Sequence, residues 1–72
     1  MNELLEVKDV AQRLKCNRNK VYELIKSGAL QGLKLGRMKV STIELDNFMN
    51  RNAGKDLTDP YNITALEKEA VE

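Results

Sequence analysis

Between Asn17 and Gly28 the chain reads NRNKVYELIKSG, and its apolar residues Val21, Leu24 and Ile25 fall at i, i+3 and i+4. That spacing puts them on one face of a helix and leaves Asn19, Tyr22, Glu23 and Lys26 pointing away from it. Asn17 can accept the unpaired backbone N–H groups of the first turn, and Gly28 can take the left-handed conformation that closes the last one. Upstream, Val7, Val10, Ala11 and Leu14 repeat at i, i+3, i+4 and i+7 and predict a shorter helix. Glu6 and Asp9 stand at its start, where the helix dipole favours negative charge, and Met1 to Leu5 reads as a lead-in. Only Lys15-Cys16-Asn17 separates the two helices, so the pair has the form of a helix-turn-helix.

After Gly28, Ala29 to Gly32 is too short for another helix, and Leu33 to Val40 takes on an alternating pattern. Leu33, Leu35, Met38 and Val40 are apolar while Lys34 and Lys39 are charged, which predicts a small hairpin. Gly36-Arg37 is its expected two-residue turn, because glycine first suits a type II′ turn. This turn pairs Leu35 with Met38, Lys34 with Lys39 and Leu33 with Val40, and so sets two lysines directly opposite each other on the outer face. A DNA phosphate beside them would relieve the repulsion, with Arg37 reaching further from the tip. Ser41-Thr42-Ile43-Glu44 fits a capping box and opens a third helix to about Asn52, with Leu45, Phe48 and Met49 as its buried stripe. Ile43 lies on the other side of that helix with Asn47 and Asn50, a candidate surface for a protein partner unless the tail covers it. Gly54 to Asn62 reads as a linker, and Ile63 to Glu72 as one or two helical turns that fray on their own. The expected division is therefore a folded unit over residues 1–52 and a linker with an acidic tail over 53–72.

At 72 residues the chain supports one small core, and its single cysteine, Cys16, with no histidine, excludes an internal disulfide and a structural zinc site. Cys16 is expected to be a small packed side chain between two helices. The net charge of +1 hides a polarity along the chain. From Arg13 to Lys39 eight basic residues face Glu23 alone, a net of +7, whereas Asn52 to Glu72 carries −3. A basic body with an acidic tail suggests a polyanionic partner for the body. The polar face of the second helix, able to hydrogen-bond in several ways and free of an apolar stripe, suits the edge of a groove. Leu4 and Leu5 are followed at once by charge, far short of a signal-peptide core or a membrane span, so a cytoplasmic protein with no membrane partner is expected. No nucleophile–base pair, metal cluster or phosphate-cradling glycine loop points to an enzyme, a metal or a cofactor.

Taken together, LEVKDVAQRLKCNRNKVYELIKSGALQGLKLGRMKVS and the closing helix resemble the winged helix-turn-helix of the excisionase and MerR-like family, from about Leu5 to Met49. The resemblance is carried by Val10-Ala11 and Leu14, Arg18, Val21-Tyr22, Leu24-Ile25, Ser27-Gly28 and Lys34-Leu35-Gly36-Arg37 in that order and spacing. It implies a mainly α fold with a small β-hairpin, a second helix in the major groove, and a wing on the adjacent backbone. By that resemblance Asn17, Arg18, Asn19, Lys20, Tyr22 and Glu23 enter the groove, and Lys34, Arg37 and Lys39 grip phosphate. It further implies an architectural recombination directionality factor of a mobile element, with double-stranded DNA, neighbouring copies or an integrase as partners. A small transcriptional regulator built on the same module, or a winged helix used only for protein contacts, are the alternatives. The chain departs from the family pattern at Asn17, where serine is frequent, at Glu23, where a basic residue is common, and at Met38, where an aromatic is frequent.

Overall fold

Val10, Val21, Leu30, Val40 and Leu45 are each at most 1% exposed, and each comes from a different segment of the chain. In the computed structural model, which describes residues 1–66, they meet at one point, and the elements around them are arranged to keep them there. Strand β1 (Leu4–Glu6) leads into helix α1 (Val7–Leu14) and helix α2 (Arg18–Lys26). Strands β2 (Leu33–Leu35) and β3 (Arg37–Ser41) form the wing, and helix α3 (Thr42–Asn52) follows. A second, two-stranded sheet joins β4 (Lys55–Asp56) to β5 (Thr64–Ala65). The helix-turn-helix, wing and closing helix are all where the pattern of apolar residues put them, and no helix among the described residues is long and apolar enough to cross a membrane.

Each helix has a local reason to begin, and the first two a local reason to end. The Asp9 carboxylate accepts the Glu6 backbone N–H at 3.2 Å at the start of α1. At its end Lys15 adopts φ +58°, letting Lys15 N–H donate to Gln12 and Cys16 N–H donate to the Ala11 carbonyl at 3.0 Å, the paired bonds of a Schellman motif. Asn17 caps α2 by accepting the Lys20 N–H at 2.8 Å, and Gly28 closes it at φ +86°. Ser41 caps α3 by accepting the Glu44 N–H at 3.0 Å, but the other half of the expected box is not formed. Instead the Glu44 carboxylate accepts the Gln31 N–H at 3.0 Å and the Arg51 guanidinium, and Arg51 also donates to the Ala29 carbonyl at 2.9 Å. This clip holds the loop that delivers Leu30 to the core. Leu45 and Phe48 are buried as expected, whereas Met49 is 44% exposed, so the stripe of α3 is narrower than its spacing predicts.

The wing differs from expectation by one residue. Its reversal is centred on Gly36, at φ +75°, and pairs Leu35 with Arg37, Lys34 with Met38 and Leu33 with Lys39. The Lys34–Lys39 pair therefore does not exist, and the two lysines do not repel each other across the hairpin as expected. Two constraints outside the hairpin set the register. The lead-in segment is a third strand: β1 pairs antiparallel with β3, matching Leu5 with Val40 and Glu6 with Lys39, so that Leu5 and Val40 share the inner face. Met38 also faces inward over Gly32, where a Cβ would stand 2.7 Å from the Met38 sulfur and 3.1 Å from Ile25. A one-residue slip exchanges the two faces of a strand, and here it turns Leu33 and Leu35 outward, 50% and 68% exposed.

The segment expected to be a linker is folded back on the helices. Leu57 packs against the core, Pro60 is buried, and Leu66 N–H donates to the Gly54 carbonyl at 2.9 Å. Where helical turns were expected from Ile63, Thr64–Ala65 is a strand; residues 67–72, which hold the rest of that expectation, lie outside the described residues. Ile43 is not covered by this segment and stays 52% exposed.

Candidate nucleic-acid interface

Because Val21 and Leu24 anchor α2 in the core, Arg18 and Tyr22, a turn apart, rise on the side of the helix that faces the wing. Together with Arg37, Met38 and Lys39 of β3 and Glu6, Val7 and Lys8 at the start of α1, they line a cleft of about 280 Å³. The fold thus brings Arg18, Tyr22, Arg37 and Lys39 to one place from two elements separated in sequence. Four cationic side chains, Lys8, Arg18, Arg37 and Lys39, border the cleft against the single carboxylate of Glu6. Such a lining concentrates positive potential where an anionic backbone could lie.

Lys8 is not among the contacts expected from the sequence. The signal was present: Lys8 is an exposed cation on the flank of the buried stripe Val7, Val10 and Ala11, and it also borders a neighbouring hollow with Gln12, Asn17 and Arg18. Lys34, in contrast, stands opposite Met38 and does not line the cleft.

The remaining residues of α2 face elsewhere. Asn17 spends its side-chain oxygen on the cap. Lys20 turns away from the cleft, its ammonium 2.8 Å from Glu23 Oε1 and 2.8 Å from the Thr58 carbonyl. Glu23 is consequently engaged by Lys20, and with Asn19, Tyr22, Lys26 and Tyr61 it lines a shallow hollow on the outward side of the helix. The six helix residues expected to act together are therefore divided between a cleft and a second surface.

Cys16 is half-buried between α1 and α2, and burial pushes its thiol pKa up against the opposing pull of Lys20. A protonated thiol is a packing group and a poor nucleophile. Ile43, Asn47 and Asn50 are exposed along α3, and none of them lines the cleft.

A family model described as a helix-turn-helix domain matches residues 4–53, the stretch from β1 through the end of α3. No curated protein and no solved structure matches the chain.

Proposed function

The chain belongs to the helix-turn-helix domain family of small excisionase-like proteins, and from that premise we propose that it binds double-stranded DNA sequence-specifically as a recombination directionality factor of a mobile element. The observation that carries this reading is the cleft that unites Arg18 and Tyr22 of α2 with Arg37 and Lys39 of the wing. In it Arg18 and Tyr22 meet base edges in the major groove, Asn17 and Asn19 flank them, and Arg37, Lys39 and Lys8 meet phosphate. Lys20 and Glu23, tied to each other, and Lys34, outside the cleft, have smaller parts.

A single module of this kind buries about 600 to 1,000 Å² on DNA. Useful affinity then depends on neighbouring copies or an integrase, for which Ile43, Asn47 and Asn50 of α3 offer an exposed surface. The role is architectural: the protein bends attachment-site DNA and helps the recombinase assemble.

Footprinting over the DNA flanking the gene, paired with an excision assay, tests the proposal. Protection of attachment-site sequences together with protein-dependent excision is the expected result. Protection confined to promoter DNA, with changed transcription and unchanged excision, would make it a transcriptional regulator.

A further inference from the structure

The segment after α3 runs along one side of α2 and sets Tyr61 beside the face of that helix farthest from the core. Thr58 presents its carbonyl to the Lys20 ammonium at 2.8 Å, and Tyr61 stands over Asn19, Glu23 and Lys26. The segment is held in this position by Leu57 against the core, by buried Pro60, and by the pairing of Asp56 with Thr64. It is internally braced as well: Asp56 accepts both the N–H and the hydroxyl of Thr58, and Asp59 accepts the Tyr61 N–H at 3.1 Å.

This placement conflicts with use of the helix. A helix with its side chains is about 10–12 Å across and the major groove is about 12 Å wide, so one helix fills it. A loop carried on the outward face cannot enter with the helix. Its charge is wrong for a phosphate contact too, since residues 54–66 carry Asp56 and Asp59 against Lys55 alone, and the Lys20 ammonium is engaged by Glu23 and Thr58. The segment lies outside residues 4–53 that match the family, so it is an addition to the module rather than part of it.

We infer that residues 54–66 form an autoinhibitory strap over the recognition helix, which must lift from α2 before the helix can seat in DNA. The inference rests on the DNA-binding reading above. Its attachment to the body is one ammonium contact, Leu57 and buried Pro60, and its own ladder is only two residues long, which places the strap among the segments that open locally without global unfolding. When only an open fraction is competent to bind, the apparent dissociation constant rises by the inverse of that fraction.

The test uses the full chain. Leu57→Ser, which frees the strap, is expected to tighten binding to a duplex by roughly fivefold to tenfold at fixed salt, and Tyr61→Ala by a smaller factor. In parallel, hydrogen exchange on the unaltered protein should show the Asn62 and Leu66 amides losing protection when the duplex is added; this reading stands even if Leu57→Ser fails to fold. Equal or weaker binding by the variants, with those amides kept or further protected on DNA, would overturn the strap while leaving the DNA-binding reading intact. Absence of duplex binding by the parent and by both variants would instead remove the DNA-binding reading, and the strap with it.

Discussion

Lys15 holds the turn between the two helices in a conformation that L-residues avoid. At φ +58° and ψ 44° its Cβ crowds the following carbonyl, a cost of about 1 kcal/mol that glycine does not bear. The two Schellman bonds require this geometry whatever residue occupies the site. Lys15→Gly should therefore stabilise the protein by about 0.5 to 1 kcal/mol, net of the greater freedom of glycine in the unfolded chain, in denaturant titration. A loss of stability would mean that the Lys15 side chain contributes something that the backbone geometry does not include. At this scale the sequence was most readable where a residue acts on its near neighbours. Asn17 and Ser41 declare themselves as caps by type and position, and both are. Residues whose role depends on distant contacts did not: nothing in Ala29-Leu30-Gln31-Gly32 marks Leu30 as core, and the fate of the Glu44 carboxylate depends on Gln31 and Arg51.

Among elements, the wing shows why a correct strand prediction can still have the wrong register. The alternation in Leu33 to Val40 is compatible with two registers, and the choice between them is made by β1, a three-residue strand too short to show a period, and by Met38 lying over Gly32. The corrected register reverses an electrostatic expectation. Lys39 faces Glu6 across the β1–β3 ladder, so Lys39→Glu would set two carboxylates opposite each other and should destabilise the free protein by a few tenths to about 1 kcal/mol. The same change should weaken DNA binding. A melting temperature raised by Lys39→Glu would argue for the unobserved Lys34–Lys39 pairing instead. Between α3 and the loop before the wing, Arg51 holds the Glu44 carboxyl below the usual carboxylate range, aided by the Gln31 N–H. A depressed folded pKa stabilises the fold fully above the ordinary glutamate value of about 4.3 and loses that stabilisation as pH falls through the folded value. Glu44→Gln should thus cost about 1 kcal/mol at neutral pH, kept modest by the half-exposed Arg51 side chain, and the difference from the parent should shrink toward zero under strong acid. A deficit that persists unchanged to low pH would assign the loss to packing rather than to charge.

For the molecule as a whole, the partition of charge along the chain becomes a partition in space. The basic residues between Arg13 and Lys39 do not all face one way: Arg18, Arg37 and Lys39 converge on the cleft with Lys8, while Lys20 is taken up by Glu23 and Thr58. The helix-turn-helix and the wing were legible because local periodicity encodes them, and so was the identity of three of the cleft cations. The addition of Lys8 and the folding of the Gly54 to Asn62 segment onto α2 were not, since each depends on how separate elements meet. Whether α2 and the wing together grip a DNA duplex is decided by titrating duplex DNA at a series of salt concentrations with the parent, Arg18→Ala and Arg37→Ala proteins. Affinity should fall steeply with salt, Arg37→Ala should lower the slope of log affinity against log salt by about 1 on every sequence, and Arg18→Ala should cost about 1 to 3 kcal/mol on the preferred site and less on random DNA. Binding that ignores salt, or that neither substitution changes, would contradict that grip.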